Sequence, residues 1–466
     1  MPPATPSTPK PAERTYYDGD VDFDELAAED ADFSAICQIS KSKRWLDFQD
    51  PKVVQCVPTT PSITNKPTNA RPLRQLTKTL LKSDFNLTLT LPPDRLCPPV
   101  PVRWNYIHWI QQLLDTTCSS TNNYNDTYDP SRQVHGLDIG TGASCIYPLL
   151  ACSTRPGWRM WGSDIDSHSL AYAKQNVKAN DMDSRIRIQR SSKPEDPLIP
   201  LDVLGVGGLD FVMTNPPFYS SGQDMLDSYT GKIAPPSAVC TGAENEMICD
   251  GGDVGFVTRI LEESLVLRER VQWYTAMVGK MSSLQSVIAL LKGHGVTNFA
   301  VCALKAGFRT KRWAVGWSFG DARARVDVAR CGELVVGVLP VASAVTVWVR
   351  GVGKKGLGRK VDEVVGGLGV RWLWRGEEGV GVMEAKEDVW SRAARRKKKF
   401  AESAGVMKES EVVVEGSSEE EEEIVGLAVK ITCGDGEVDV RWLRGRDYVL
   451  FESFCGLMKR SLNARR

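Results

Sequence analysis

The chain has 466 residues, enough for roughly two or three domains, and 42% hydrophobic residues, an ordinary fraction for a globular protein. Its 58 basic and 58 acidic residues balance, so net charge identifies no partner. The 12 cysteines form no C-x-x-C pair and only 4 histidines are present, which argues against a zinc site and against a disulfide framework. We therefore expect no metal.

The first 20 residues are rich in proline and threonine and lack the apolar run of a signal peptide, so we expect a disordered tail. No segment predicts a membrane span, so we expect a cytosolic or nuclear protein, with the nucleus as the first choice and the cytoplasm as the second.

An N-terminal extension is predicted over residues 21–133. LRQLTKTLLKSDF has leucines at helical spacing and places Arg74, Lys78 and Lys82 on the other face, where they could follow phosphates or face solvent. NLTLTLP alternates like a strand, and PVRWNYIHWIQQLLD predicts a second helix.

From Val134 to residue 320, strands alternate with helices, which predicts an α/β fold with a mostly parallel, doubly wound, seven-stranded sheet. VTNFAVCAL and RWAVGWSF are joined by a segment too short for a parallel crossover, so the last strand should be antiparallel. Four tryptophans are expected in the core rather than as base-stacking platforms: Trp104, Trp109, Trp313 and Trp317.

The composition shifts after Asp321, and residues 325–466 are predicted to form a smaller α+β module. It combines Val- and Gly-rich strands, a basic helix containing Arg395 to Lys399, the hairpin GLAVKITCGDGEVDVRWLRG and a closing helix. The acidic run SSEEEEE predicts a disordered insert over about 402–423.

The first motif, GLDIGTGASCIYP, places Asp138, Gly140 and Gly142 at the end of a strand and before a helix. Glycines there let backbone amides approach a ligand beside a helix N-terminus, although a plain structural turn is the alternative. Ser144 and Cys145 replace the third glycine of the dinucleotide fingerprint, which disfavours a pyrophosphate.

Asp164 ends the second strand, where an acidic side chain commonly accepts hydrogen bonds from ribose hydroxyls. Asp166 is the competing residue, but its place before a helix suits an N-cap better.

The third motif is Asn215-Pro216-Pro217-Phe218, at the end of the fourth strand. Ligands of open parallel sheets bind at the C-terminal strand ends, so this motif should meet the glycine turn and Asp164 in one crevice. The prolines fix the backbone, the Asn215 side-chain oxygen and the Pro216 carbonyl are acceptors, and Phe218 offers a ring face. The set suits a planar group that carries an amine, whereas a strand terminator is the alternative.

Several blocks, NYIHWI, DIGTGASCIYPLL, NPPF, PPSAVCTG and RWAVGWSF, resemble the methyltransferase-like protein 16 family. These are Rossmann-like class I enzymes that use S-adenosylmethionine to methylate adenine N6 of U6 small nuclear RNA, and they are related to a bacterial 23S ribosomal RNA enzyme. The resemblance runs from Phe33 to Phe319. VWSRAARRKKK and the C-terminal hairpin are similar to the region that grips U6 RNA in vertebrate members.

The resemblance implies roles for individual residues. Arg103, Gly140, Ser144 and Asp164 would contact the cofactor, together with Asp138, Gly142 and Asn215 of the same motifs, and Asn215 to Phe218 would hold the target adenine. Arg309, Lys311 and Arg312 would bind structured RNA, as would residues 21–133 and 325–466. The family's gating loop falls near Lys193, where this sequence departs from the family's.

Four alternatives remain open at this stage. The N-P-P-[FY] motif also serves N2-guanine methylation of ribosomal RNA and glutamine methylation of release factors, and adenine-N6 methylation of ribosomal RNA keeps the same chemistry. The alternative that is not an enzymatic function is a mainly non-catalytic RNA-binding splicing factor.

Overall fold

The computed structural model describes residue 17 and the ranges 21–40, 43–45, 71–118, 126–191, 195–230, 242–305, 311–403 and 425–464. Most of the predicted tail, Lys193, Arg309 and residues 404–424 of the acidic region lie outside the described residues. The chain divides into two compact units. The first comprises Met1–Leu114, Tyr128–Gly320 and Arg330–Leu339, and the second Asp115–Thr127, Asp321–Ala329 and Pro340–Arg466.

The first unit is built on an eight-stranded sheet with the order β10-β8-β9-β7-β6-β3-β4-β5. Its strands are β3 Val134–Ile139, β4 Trp158–Asp164, β5 Ile186–Arg190, β6 Leu209–Thr214, β7 Val271–Val278, β8 Phe299–Lys305, β9 Lys311–Trp317 and β10 Arg330–Cys331. Strand β9 runs antiparallel between β7 and β8, which confirms the predicted antiparallel last strand. The eighth strand, β10, adds two residues beside β8 that the sequence pattern did not indicate.

Helices cover the sheet and an N-terminal layer precedes it. The sheet helices are α5 Ile146–Thr154, α6 Ser167–Ala179, α7 Leu201–Leu204, α8 Gly222–Thr230, α9 Glu244–Met247, α10 Gly252–Leu267 and α11 Met281–Gly293, with 3-10 turns at Arg268–Arg270 and Val336–Val338. The N-terminal layer contains α1 Phe23–Glu29, α2 Ala31–Ile36, α3 Arg71–Phe85, α4 Val100–Thr116 and the small hairpin β1 Gln38–Ser40 with β2 Lys43–Trp45.

The core of the first unit lies along β6, β7 and the helices α10 and α11. Strand β7 is buried at nearly every position because a central parallel strand has helices on both faces. Trp104, Trp109 and Trp317 are fully buried and Trp313 packs against the core, as the composition of these blocks predicted. Pro148 lies in the first turn of α5, where a missing amide breaks no helical hydrogen bond.

The prediction of a strand at NLTLTLP was wrong, and the reason is visible in its hydrogen bonds. The segment after α3 joins no sheet. Asn176 on α6 and Asn180, the residue that follows the end of α6, instead bond the amides and carbonyls of Thr90 and Thr88 at 2.8–2.9 Å. Side-chain amides therefore replace a partner strand, and the alternating leucines still bury one face.

The three basic residues on the polar face of α3 differ in their surroundings. Arg74 donates to the carbonyl oxygens of Leu91, Pro92, Pro93 and Arg95, so it organises the following loop. Lys78 and Lys82 are exposed.

The second unit contains a five-stranded antiparallel sheet with the order β11-β15-β14-β13-β12. Its elements are α12 Val326–Ala329, β11 Ala344–Trp348, α13 Lys354–Gly366, β12 Arg371–Arg375, β13 Val380–Ala385, α14 Arg392–Ser403, β14 Leu427–Cys433, β15 Glu437–Arg444 and α15 Tyr448–Asn463. The predicted hairpin is confirmed as β14 and β15. Helix α14 continues through Ser403, so the first two residues of the predicted insert are helical.

One face of that sheet packs against α15. Phe451, Phe454, Cys455, Met458 and Leu462 recur at helical spacing and are buried. The Trp442 ring stacks on Phe451 with 5.2 Å between ring centres, which joins the helix to the longest strand of the sheet.

Candidate active site

The glycine turn links β3 to α5 at the C-terminal edge of the first sheet. Gly140 and Gly142 have φ values of 75° and 61°, which a residue with a side chain adopts only with strain. The amides of Gly140 and Thr141 both donate to the Ser163 carbonyl at 2.9 Å, which holds the turn against β4. A Cβ placed on Gly140 would find no atom within 4 Å, so the turn borders open space.

Two polar side chains of this turn are buried without a hydrogen-bond partner among the described residues. They are the Asp138 carboxylate, of which both oxygens are unpartnered, and the Thr141 hydroxyl. Burial raises the pKa of Asp138 to about 7; the neighbouring Thr141 hydroxyl acts against the rise, although the two groups form no well-aligned hydrogen bond, and the Asp164 charge adds to it. Buried polar groups without a well-formed hydrogen bond are energetically costly, so they indicate a place where a ligand supplies partners.

Asp164 ends β4 beside the glycine turn. Its Oδ2 accepts the Gly142 amide and its Oδ1 accepts the Asp166 amide, both at 2.9 Å. Burial raises the pKa of Asp164. Asp166 caps α6 through the amides of His168 and Ser169, which confirms its interpretation as an N-cap.

Asn215 follows β6, and its side chain is already engaged. The Thr214 hydroxyl donates to the Ile139 carbonyl at 2.8 Å, which places the end of β6 against the end of β3. Asn215 Oδ1 accepts a hydrogen bond of 2.8 Å from Nη1 of Arg103, a buried residue on α4. The same Nη1 donates to the Tyr147 hydroxyl at 2.7 Å and approaches the Met277 sulfur at 3.4 Å.

The rest of the tetrapeptide forms a rigid wall beside this pair. Pro216 is buried and Phe218 is half-buried. A Cβ on Gly279 would lie 3.2 Å from the Phe218 ring, so the glycine permits the ring to pack against β7. The Arg312 guanidinium lies 5.0 Å from the centre of the Phe218 ring, within the range of a cation–π contact.

The structure therefore brings together most of the residues that the sequence motifs singled out. Asp138, Gly140, Gly142, Ser144, Asp164 and the tetrapeptide from Asn215 to Phe218 all lie at the ends of β3, β4 and β6. Arg103 reaches the same place from α4. Lys311, by contrast, is exposed and forms a 3.5 Å ion pair with the exposed Glu333.

Sequence reasoning missed three side chains at this site. Tyr147 lies within a quoted block, but nothing in the sequence showed that its hydroxyl would accept from Arg103. Asn176 donates to the Ala143 carbonyl at 3.0 Å, which supports the glycine turn from α6. Glu246 comes from α9, and its Oε1 is 3.6 Å from the position that a Cβ on Gly142 would occupy.

Within the described ranges, no group of three or more His, Cys, Asp or Glu side chains is arranged to hold a metal ion. Among the helices that the structure describes, none combines the length and apolarity required to cross a membrane.

Comparison with known proteins agrees with this geometry. The sequence profile of a family described as RNA methyltransferase matches residues 7–321. The U6 small nuclear RNA (adenine-(43)-N(6))-methyltransferase of Schizosaccharomyces pombe is 35% identical over 400 residues, which are 84% of this chain and 94% of that protein. The RNA N(6)-adenosine-methyltransferase METTL16 of Homo sapiens is 37% identical over 316 residues, 66% of this chain and 50% of that protein.

Solved structures give the same picture for the first unit. The human METTL16 catalytic domain in complex with MAT2A 3'UTR hairpin 1 aligns with a TM-score of 0.53 and 34% identity, and covers 66% of this chain and 94% of that one. The N-terminal domain of human METTL16 in complex with SAH gives a TM-score of 0.50 and 34% identity over 66% of this chain and 98% of that one. The chain spans about half the length of the vertebrate relatives it matches, but nearly all of the fission-yeast one.

Proposed function

Because this chain belongs to the RNA methyltransferase family, we propose that it transfers a methyl group from S-adenosylmethionine to adenine N6 in the ACAGA box of U6 small nuclear RNA. The observation that carries the proposal is the position of Asn215 Oδ1. A buried arginine holds this acceptor at the end of β6, beside a glycine turn with unpartnered buried acceptors.

The residues present fit the cofactor. The glycine turn borders open space at Gly140, and Asp138 and Thr141 are buried with no partner among the described residues. Asp164 lies at the second strand end, where ribose hydroxyls are usually held. When bound, S-adenosylmethionine supplies an electrophilic methyl group. Asp138, Gly140, Gly142, Ser144, Asp164 and Arg103 are the residues that would hold it.

The tetrapeptide makes adenine N6 a better nucleophile. In free adenine the N6 lone pair is delocalised into the ring. Asn215 Oδ1 and the Pro216 carbonyl oxygen would each accept one N6 hydrogen, which favours a pyramidal nitrogen with a localised lone pair. An amide oxygen has two lone pairs, so Asn215 can keep Arg103 and accept N6–H as well.

The same acceptors stabilise the charge that develops during transfer. Nitrogen would gain positive charge as its bond to the methyl carbon forms and the bond between that carbon and the donor sulfur breaks, which releases S-adenosylhomocysteine, and fixed acceptors lower the energy of that charge. The excess proton then leaves N6 to water, so no side-chain base is required. Positioning of the two reactants can contribute up to about 7–11 kcal/mol of the barrier reduction.

RNA is the proposed partner, and its target base must leave the stack to reach Asn215. Phe218 would replace a stacking neighbour, and single-stranded or bulged RNA makes this less costly. Arg312 lies over that ring and Lys311 is its neighbour on β9. Both are proposed RNA contacts, together with Arg309, the N-terminal extension and the C-terminal unit. We also propose nuclear location, supported by the basic run from Arg395 to Lys399.

Labelled cofactor and a U6 transcript with its ACAGA box test the function. The transcript should be digested to nucleosides after reaction with the full chain. We expect label in N6-methyladenosine, and none when the target adenine of the box is replaced by uridine. Label in N2-methylguanosine or in protein would overturn the substrate assignment, and no label in any acceptor would overturn the activity.

A further inference from the structure

Glu246 places another carboxylate beside the glycine turn. Its Oε2 accepts the Leu96 amide at 3.0 Å and the Ala243 amide at 2.8 Å, so the side chain is held between the N-terminal extension and its own helix. Its Oε1 faces the turn, 3.6 Å from a Cβ position on Gly142. A Cβ at position 142 would be in van der Waals contact with this oxygen, so the Glu246 carboxylate lies against the turn.

Asp164 reaches the same turn, but both of its oxygens already accept backbone amides, from Gly142 and from Asp166. These two bonds fix the carboxylate and use part of its acceptor capacity. A ligand with two neighbouring hydroxyl donors would be better served by a second carboxylate close by. Glu246 provides such a carboxylate, because its Oε1 lies next to Gly142.

The surroundings also require a donor. Burial raises the pKa of Glu246, and the Asp164 charge contributes. Asp138 at the end of β3 and Thr141 in the turn are buried with no hydrogen-bond partner among the described residues. Several acceptors packed around a turn that borders open space are stabilised when a ligand brings hydroxyl or N–H donors.

We propose that Glu246 is a cofactor-binding residue that accepts a hydrogen bond from a ribose hydroxyl, sharing the ribose with Asp164. Because Leu96 holds the same carboxylate, the N-terminal extension takes part in positioning the ribose contact. The inference rests on the cofactor of the proposed function and is independent of which base is methylated.

Titration calorimetry with S-adenosylhomocysteine and its 2′-deoxy and 3′-deoxy forms, without RNA, tests this. Glu246→Gln keeps an acceptor for Leu96 and Ala243 but removes the charge. We expect about a tenfold loss of affinity for S-adenosylhomocysteine, in keeping with the strength of charge-assisted hydrogen bonds. With the deoxy form that lacks the contacted hydroxyl, wild type and variant should bind equally.

Two further variants separate contact from structure. Glu244→Gln changes an exposed carboxylate on the same helix and should leave all affinities unchanged. Glu246→Asp keeps the charge but shortens the side chain, and it should show the same dependence on the ribose hydroxyl. If Glu246→Gln weakens all three ligands by the same factor, or none of them, the ribose contact is wrong. Methylation of another base would overturn the proposed function and leave this binding result standing.

Discussion

Arg103 Nη1 donates to Asn215 Oδ1 over 2.8 Å, although the two residues lie 112 positions apart in the chain. Arg103, which is expected to contact the cofactor, therefore fixes the position of Asn215, which is expected to bind the adenine. With a donor fixed on Oδ1, the amide of Asn215 is oriented, because its NH₂ group would be repelled by a guanidinium. The second lone pair of Oδ1, which accepts no bond from Arg103, therefore has a fixed direction before the substrate binds.

Replacement of Asn215 tests this orientation. Asn215→Ala removes the acceptor, and we expect kcat for N6 methylation to fall by about 10²- to 10³-fold, the range for loss of one preorganised electrostatic group. Asn215→Asp keeps an oxygen toward Arg103 and should retain at least about tenfold more activity than the alanine variant. Single-turnover methylation of a U6 transcript measures both, and equal activities would contradict the role of the acceptor.

Asn176 and Asn180 form a matched pair for a second prediction. Each holds one threonine of the 86–91 segment by two hydrogen bonds, but only Asn176 also donates to the Ala143 carbonyl in the glycine turn. Asn176→Ala leaves the buried Ala143 carbonyl and the backbone of Thr90 unpaired and creates a gap at a buried position, so it should lower the free energy of unfolding by about 3 kcal/mol, whereas Asn180→Ala should lower it by about 1 kcal/mol.

Cofactor affinity separates the two variants further. Because Ala143 belongs to the turn, Asn176→Ala should weaken binding of S-adenosylhomocysteine, and Asn180→Ala should not. Urea unfolding and titration calorimetry give the two quantities. Equal effects of both variants on stability and on affinity would show that the Ala143 bond has no special part.

Asp138 gives a prediction about pH. Its pKa is raised from 3.8 to about 7 by burial, so the folded protein holds this proton more tightly than the unfolded chain. The stabilisation is complete below pH 3.8 and is lost as pH rises through 7. Asp138→Asn should remove this loss, so its stability relative to wild type rises between about pH 4 and pH 7, by at most about 1.4 kcal/mol per pH unit.

Chemical denaturation of the protein without ligand, repeated across that pH range, measures the difference. Asp183→Asn, at an exposed position, is the control and should follow wild type. A constant difference between Asp138→Asn and wild type at all pH values would contradict a raised pKa for this carboxyl.

The fold and the strand-end motifs could be predicted because they depend on local patterns. Alternating strands and helices require a parallel sheet, and parallel strands bring Asp138, Asp164 and Asn215 to one edge. The antiparallel β9 followed from a connection too short for a crossover. Each of these inferences needs only the order of elements along the chain.

The remaining features depend on contacts between distant side chains. The segment NLTLTLP has the pattern of a strand, but asparagines on α6 and directly after it satisfy its backbone, and periodicity cannot show that. In the sequence, Arg74 resembles a phosphate-binding arginine. In the structure it donates to the carbonyl oxygens of Leu91 and Pro92 instead. Glu246 lies in an unremarkable helix, and only folding brings it to Gly142.

Arg312 is a proposed RNA contact beside Phe218, and its replacement is the last prediction. Its guanidinium lies over Phe218, so Arg312→Ala should remove one cation from the entrance to the adenine site and weaken binding of a U6 transcript by roughly tenfold. The slope of log affinity against log salt should decrease by about 0.7 to 0.9, as expected for one lost phosphate contact. Affinity for S-adenosylhomocysteine should not change.

Lys311→Ala is the matched control on the same strand. The Lys311 ammonium is exposed and paired with Glu333, so the loss of RNA affinity should be smaller. If Arg312→Ala leaves both RNA affinity and salt slope unchanged, the guanidinium only covers the Phe218 ring and RNA enters by another surface.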